Sequence, residues 1–306
     1  MGVARSKEPD EQCARWIAEG CCVLRVLVGS SVHGLSNPGT DDRDEMGVCV
    51  EPPEYVLGLR EFEHFVYRTQ PEGEPSGPGD LDLTIYGLRK WCRLAMRGSP
   101  TVLLLLFAQG DDVLLQTPIG EEMRRLAPVF ISRRTGEAFL GYLGSQRRAF
   151  EEERPRTREQ GPTHGYDTKY AMHALRIAHQ GHELLTTGRI TLPVAEPHRS
   201  RLMAVRHGEP REAQIRAMLD DAETALQKAL DSTGLPERAD RDAIDAFLVS
   251  AYEQAWRTTG GGHAGARLSG TPCSGDAGGA ASERAHPLGG APTHERWERA
   301  DISSSP

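Results

Sequence analysis

Two short groups of residues near the start of this chain could act together on a phosphate ester. Gly29 and Ser30 follow an apolar run, and Asp42 and Asp44 stand one residue apart at the head of the next apolar run. Alternate side chains of a strand share a face, so the two carboxylates would repel each other unless a cation lies between them. A glycine lets a phosphate approach the backbone, and a serine hydroxyl can donate to it. The pattern predicts one nucleoside triphosphate site with a phosphate-binding turn and a divalent metal.

The elements that must position these residues are strands. Nearly continuous apolar runs predict buried strands at residues 22–28 and 42–50. A third strand is predicted at residues 80–86, where polar and apolar residues alternate, with Asp80, Asp82, Thr84 and Tyr86 on one face. The sequence therefore predicts a small sheet that carries the acidic residues.

Helices are predicted around this sheet and through the second half of the chain. Apolar spacing predicts a helix at residues 9–19, with Cys13, Trp16 and Ile17 inward. It predicts another at 87–97, whose inward residues are Leu88, Trp91, Cys92 and Ala95. The run at residues 102–107 fits a buried strand or a buried helix. After the capping residue Thr117 the pattern is helical, with helices predicted at 132–153 after Ser132, at 167–187 between Asp167 and Gly188, at 210–232 and at 238–256.

These elements predict an α/β (α+β) protein in which a small mixed sheet with flanking helices precedes a helical domain. We place the sheet domain at residues 1–110 and the helical domain at 111–257. Residues 258–306 are rich in glycine and poor in aliphatic side chains. Such a segment buries too little apolar surface to offset its ordering entropy, so it is predicted to be disordered.

Composition narrows the class of protein. The chain of 306 residues has a net charge of −8, which argues against a protein that coats nucleic acid along its whole surface. Its six cysteines include no Cys-x-x-Cys pair, which indicates a reducing, cytoplasmic setting without structural zinc. The longest apolar run is far shorter than the ~20 residues that a membrane span needs, so no membrane partner is expected.

The acidic and glycine motifs, together with later segments in the same order, resemble a known family. The later segments are residues 53–59, 82–90, 98–102 and 165–173. Together they resemble the polymerase-β-type nucleotidyltransferase superfamily, in its bacterial and phage branch of predicted nucleotidyltransferases, one group of which is associated with RNA repair. The resemblance covers roughly residues 20 to 250.

The resemblance implies roles for particular residues. It implies that Asp82 joins Asp42 and Asp44 in binding two Mg²⁺ ions, with Mn²⁺ as an alternative, and that Asp82 helps to activate the attacking hydroxyl. Asp80 is a same-face substitute for Asp82. The residues expected to contact the nucleotide are Gly29, Ser30, His33, Lys90, Lys169 and His173, the last two sharing a helix face with Arg176.

Each of these assignments has a plainer alternative. The acidic group at 41–44 could be turn chemistry alone, His33 could brace a loop, and the basic helix faces could simply be solvated. Arg43 and Glu45 depart from the family pattern; both should point away from the metal face, where they could pair with each other or reach solvent. The arginines concentrated at residues 124–158 could attract a nucleic acid end or form an ordinary salt-bridged surface.

The resemblance implies an enzyme that transfers a nucleoside monophosphate from an NTP, with ATP favoured, to an acceptor hydroxyl and releases pyrophosphate. The acceptor it suggests is an RNA 3′ end. One alternative acceptor is a protein side chain, as in antitoxin-like or adenylylating relatives. The other alternative is a nucleotide-binding protein without turnover. The sequence leaves the oligomeric state open.

Overall fold

A computed structural model describes residues 9–36, 41–70, 77–152 and 165–260 of the chain. Most of the segment predicted to be disordered, residues 261–306, lies outside the described residues. Within the described ranges, none of the helices combines the length and the apolar character that crossing a bilayer requires.

The core of the N-terminal half is a five-stranded mixed sheet with the strand order β3-β4-β2-β1-β5. Only the central pair, β2 and β4, runs parallel among the described strand pairs. The strands are β1 (Cys22–Leu27), β2 (Arg43–Cys49), β3 (His64–Arg68), β4 (Leu81–Gly87) and β5 (Val113–Gln116). The predicted fold class and the three predicted strands are confirmed.

The fifth strand was not anticipated from the sequence. It is four residues long and pairs antiparallel with β1 at the sheet edge, where Leu114 and Leu115 are both exposed. Because neither face of β5 is buried, its sequence lacks the alternation that marks a strand. The sheet therefore extends past residue 110, and the domain boundary placed there remains a prediction.

Short helices surround the sheet. They are α1 (Glu11–Gly20), α2 (Gly29–Val32), α3 (Pro53–Val56), α4 (Leu88–Met96), α5 (Pro100–Leu103), α6 (Pro118–Arg125) and α7 (Ala127–Phe130). Helix α4 buries the four residues that its spacing predicts: Leu88, Trp91, Cys92 and Ala95. The run at 102–107 is helical, because α5 continues into a 3₁₀ turn at Leu104–Leu106.

One inward residue of α1 was predicted wrongly. Cys13 and Ile17 are buried against the sheet as expected, but Trp16 is 43% exposed. The buried stripe of α1 also includes Ala18, which turns Trp16 to the edge of the contact.

Five longer helices form the second half of the described chain. They are α8 (Arg133–Glu152), α9 (Thr168–Thr187), α10 (His198–Arg206), α11 (Glu212–Ser232) and α12 (Arg241–Gly260). Helix α9 is the central one, packed against α8, α10 and α11. Its predicted ends are confirmed, since Asp167 caps its first turn and Gly188 follows it in the left-handed conformation.

The structure of this half differs from the prediction at one helix start and contains one helix that was not predicted. Ser132 does not cap α8 with its hydroxyl: its backbone N–H donates to Thr135 Oγ1, and no described residue hydrogen-bonds its Oγ. Helix α10 was not anticipated. The larger of two hydrophobic clusters runs from β1 and β2 through α8 and α9 into α11 and α12, so the helical half is fixed on one face of the sheet.

Candidate active site

Three aspartates predicted to act together do meet in space. One carboxylate oxygen from each of Asp42, Asp44 and Asp82 lies within 4.8 Å of the others. The parallel register of β2 and β4 places Asp44 directly beside Asp82, and Asp42 precedes β2 by one residue. Three partly buried carboxylates present hard oxygen ligands on one side, which is a donor set that fits a divalent cation such as Mg²⁺.

The pKa of Asp44 reflects the crowding of negative charges in this group. Burial, followed by the charges of Asp42 and Asp82, raises the pKa of its carboxyl to about 6. The cations Lys169 and Arg176 act in the opposite direction. The site therefore favours anything that brings additional positive charge next to Asp44.

The structure also separates the acidic residues of this segment into two classes. Four of the five residues from 41 to 45 carry carboxylates. Glu45 is buried and paired with Arg25 and with Arg43, whose Nε lies 2.5 Å from Glu45 Oε1. Arg43 and Glu45 thus pair with each other, one of the two outcomes considered for them. Asp41 is held by arginine in the same way, as described below, which leaves Asp42 and Asp44 for a cation.

Gly29 is required by the acidic group itself. Its φ is +70°, and a Cβ built on it would lie 1.9 Å from Asp44 Oδ2 and 2.7 Å from Asp44 Cγ. The backbone N–H of Val28 also donates to the carbonyl of Asp44, at 3.0 Å. The turn after β1 therefore packs directly against the Asp44 carboxylate, which only a glycine permits.

Ser30 lies beside the acidic group with its hydroxyl already engaged. Its Oγ donates to Asp41 Oδ2 at 2.8 Å. Asp41 in turn accepts from Arg206 of α10, whose Nη2 lies 2.6 Å and 2.9 Å from its two carboxylate oxygens.

Asp82, the member of the acidic group that lies on β4, is also anchored, because Gln70 Nε2 donates to Asp82 Oδ1 at 2.9 Å. Asp80 is engaged elsewhere, with Thr69 and the backbone of Gly77.

A cleft of about 420 Å³ joins the acidic group to the helical half. Lys169, His173 and Arg176 line it from α9, and Asp44 and Asp82 line it from the sheet. Arg176 is buried and His173 is half-buried, whereas Lys169 is exposed. Burial excludes the solvated-face alternative for Arg176, and the predicted helix face forms one wall of the cleft.

Hydrogen bonds fix the protonation states of His173 and Arg176 on this wall. Arg176 Nη2 donates to His173 Nδ1 at 3.2 Å, since a guanidinium cannot accept. His173 must then carry its proton on Nε2, which lies 3.2 Å from the hydroxyl of Tyr142. Burial and the Arg176 charge hold the pKa of His173 well below its usual value, so the ring is neutral. Burial lowers the pKa of Arg176 only to about 10, so it stays a cation.

His33 both braces the fold and faces the cleft. It is fully buried, and the amide nitrogen of Gln180 on α9 donates to its Nδ1 at 3.2 Å. Burial, followed by the charge of Arg176, holds the pKa of His33 well below normal, so it is neutral with its proton on Nε2. Among the described residues, neither His33 Nε2 nor Arg176 Nε has a hydrogen-bond partner, and both side chains line the cleft.

Lys90 is a predicted contact residue that the structure places away from the cleft. Its Nζ lies 3.1 Å from Glu63 Oε2 and 3.2 Å from His64 Nδ1. The separation follows from the topology: Asp82 stands near the start of β4, whereas α4 begins after the end of that strand.

Several residues of the site were not identified from the sequence. They are Tyr142 and Gln146 of α8, Gln180 of α9 and Arg206 of α10. Tyr142 and Gln146 did offer a signal, because two polar residues at i and i+4 sit on a helix that also buries Phe139 and Leu143. Arg206 offered none, since its partner lies far away in the sequence.

Comparisons with known proteins identify the family of this chain. A family model described as RlaP, the RNA repair pathway DNA polymerase beta family, matches residues 15–250. One solved structure similar to this chain is a nucleotidyltransferase-like protein from Exiguobacterium sibiricum 255-15; it is 9% identical, and the match covers 81% of this chain and 79% of that chain with a TM-score of 0.27. No curated protein matches the chain significantly. The family match spans the three aspartates and all of α9, and the chain belongs to the RlaP family of polymerase-β-like nucleotidyltransferases.

Proposed function

We propose that this protein transfers a nucleoside monophosphate from an NTP to an acceptor hydroxyl, with divalent cations held by Asp42, Asp44 and Asp82. Family membership supports nucleotidyl transfer as the class of reaction. One observation carries the proposal: Arg176, His173 and Lys169 lie across one cleft from the aspartate group. A polyphosphate bound with metal ions complements both walls at once.

The bound cations would neutralise charge on the phosphates and lower the pKa of the attacking hydroxyl. The chain's own residues supply the rest. Arg176 and Lys169 attract the phosphates, while the Nε2–H of His33 and the Nε–H of Arg176 are donors that have no hydrogen-bond partner within the described part of the chain. The acceptor oxygen attacks the α-phosphorus, the bond to the β-phosphate oxygen breaks, and pyrophosphate leaves with the electron pair. Asp82 accepts the proton of the attacking hydroxyl.

We propose an RNA 3′ end as the acceptor, on the strength of the family's description as part of an RNA repair pathway. The arginine-rich segment lends no independent support. Arg125 pairs with Glu122, and Arg147 pairs with Asp220 and Glu223, as in an ordinary salt-bridged surface. Arginines 154, 156 and 158 lie outside the described residues. ATP remains the favoured nucleotide, and the cleft offers an apolar part lined by Met46, Leu104 and Ile177 for its base.

The test is to incubate the protein with each α-³²P-labelled NTP and Mg²⁺, with and without a short RNA bearing a 3′-hydroxyl, and to separate RNA from protein. We expect label on the RNA. The double variant Asp42→Asn/Asp44→Asn should lose it, whereas the control Asp111→Asn/Asp112→Asn, which changes two aspartates on the turn before β5, should keep it.

The other outcomes separate the alternatives. Label on the protein would indicate a protein side chain as acceptor. Metal-dependent NTP binding with no label on any acceptor, including a mixture of cellular RNAs, would indicate a nucleotide-binding protein without turnover. Full transfer by the Asp42→Asn/Asp44→Asn variant would refute the proposed site.

A further inference from the structure

Arg206, the last residue of α10, hydrogen-bonds to both ends of the segment that joins α2 to β2. We call this set of contacts, from Arg206 to Leu35 and Asp41, the clasp. Its Nη2 donates to both carboxylate oxygens of Asp41, at 2.6 Å and 2.9 Å, and its Nη1 donates to the backbone carbonyl of Leu35. Leu35 follows the turn that carries Gly29 and Ser30, and Asp41 immediately precedes Asp42. One guanidinium from the helical half thus connects the turn to the acidic segment.

The clasp is shielded from solvent and connected to the turn by a second route. The side chains of Arg206 and Asp41 are only 17% and 16% exposed. A charge-assisted pair that is shielded in this way is stronger than an exposed surface pair. Asp41 Oδ2 also accepts from Ser30 Oγ. Asp41 is therefore fixed from two directions, and with it the backbone that leads into Asp42.

We propose that Arg206 is a positioning residue for the metal site: it holds Asp41 so that the neighbouring Asp42 keeps its geometry beside Asp44 and Asp82. The inference rests on the proposed function, because it takes the three aspartates to be cation ligands. It also assigns a role to α10, whose last turn then sets how the acidic segment enters β2.

The geometry of the clasp makes lysine an incomplete substitute. A guanidinium offers several donors in a fixed plane and can engage two carboxylate oxygens and a carbonyl at the same time. A lysine ammonium keeps the charge but has only a single nitrogen, so it can preserve the pairing with Asp41 and lose the link to Leu35. Charge and bridging can therefore be separated by experiment.

The test measures binding of Mn²⁺ to the nucleotide-free protein by electron paramagnetic resonance, which does not depend on turnover. We expect Arg206→Gln to weaken Mn²⁺ binding about tenfold, as is typical when a residue that orients a ligand is lost. Arg206→Lys should bind with intermediate affinity. Arg201→Gln, at an exposed position on the same helix, is the matched control and should bind as the wild type does.

Asp41→Asn provides a second variant that leaves Arg206 in place, in case Arg206→Gln does not fold. It should also weaken Mn²⁺ binding, and in a folded double variant the two losses should not add, because each removes the same clasp. Wild-type Mn²⁺ affinity in folded Arg206→Gln, or in folded Asp41→Asn, would overturn the positioning role. Absence of Mn²⁺ binding to the wild-type protein would instead overturn the proposed metal site itself.

Discussion

The two walls of the cleft are built by different means. The acidic wall comes from two neighbouring strands, and the parallel register that pairs Asp44 with Asp82 sets its geometry. The basic wall comes from a single helix, α9, whose Arg176 is buried and whose His173 contacts Tyr142 of the neighbouring helix α8. Strand pairing fixes positions through the backbone, whereas the helix wall depends on how whole helices pack.

Each wall is electrostatically unfavourable on its own. Burial and neighbouring carboxylates raise the pKa of Asp44 to about 6, while burial lowers the pKa of Arg176 to about 10. The two shifts have opposite signs because unlike charges are being desolvated on the two sides. A ligand that brings cations to one wall and phosphates to the other relieves both, which is the pattern expected of a binding site rather than of a structural ion pair.

The most direct test of the acidic wall compares Asp82 of β4 with Asp80, which lies just before β4 on the same face. Asp82→Asn should lower kcat of nucleotidyl transfer by about a thousandfold, because it removes a group that stabilises charge in the transition state. Asp80→Asn should retain activity within a fewfold of the wild type, because Asp80 is bonded to Thr69 and Gly77 outside the acidic group. Steady-state transfer assays decide the matter, and equal losses in the two variants would contradict the assignment.

The next test asks whether the backbone really defines the acidic wall. Gly29→Ala should weaken Mn²⁺ binding and transfer about a hundredfold, since its Cβ would displace the Asp44 carboxylate. The control is Gly188→Ala, which has a similar φ of +72° but nothing within 4 Å of its Cβ. Both variants should lose roughly 1 kcal/mol of stability from the strained φ. Thermal unfolding measures that shared cost, and a normal Mn²⁺ affinity in Gly29→Ala would count against the close contact.

The acidic wall could be predicted largely from the sequence. The alternation at residues 80–86 and the spacing of Asp42 and Asp44 report strand geometry directly, because strand periodicity is local. The same reasoning found α4 with its four buried residues and the two ends of α9. It missed β5 because an exposed edge strand carries no alternation, and it misplaced Trp16 because spacing alone does not fix the centre of a buried stripe.

The basic wall could be predicted only in part. Lys90 and Lys169 are both helix residues next to motifs of the family, yet only Lys169 lines the cleft. The sequence gives the face of a helix but not the direction in which that face points after packing. Arg206 is the extreme case, since its partner Asp41 is separated from it by most of the folded chain. Such contacts depend on tertiary structure and leave no local pattern.

A test of the basic wall should affect the nucleotide and leave the metal unaffected. Arg176→Gln should weaken binding of an NTP analogue about 10- to 100-fold, the range expected for losing charge-assisted hydrogen bonds. Binding of Mn²⁺ to the nucleotide-free variant should stay at wild-type strength or improve slightly, because a cation near Asp44 is removed. Arg241→Gln, at an exposed position on α12, is the control. Loss of Mn²⁺ binding together with NTP binding in a folded variant would show that the two walls are not separable.

The smallest effect is expected at the exposed end of the basic wall, where two lysines can be compared. Lys169→Gln should raise the KM for the NTP a fewfold, since an exposed cation contributes little once screened by water and salt. Lys90→Gln should leave KM unchanged, because Lys90 is paired with Glu63 away from the cleft. Repeating both titrations at high salt should shrink the Lys169 effect and leave Lys90 as it was. If Lys90→Gln raised KM as much as Lys169→Gln, the nucleotide would have to approach the sheet from the side of α4, and the assignment of α9 as its basic wall would be wrong.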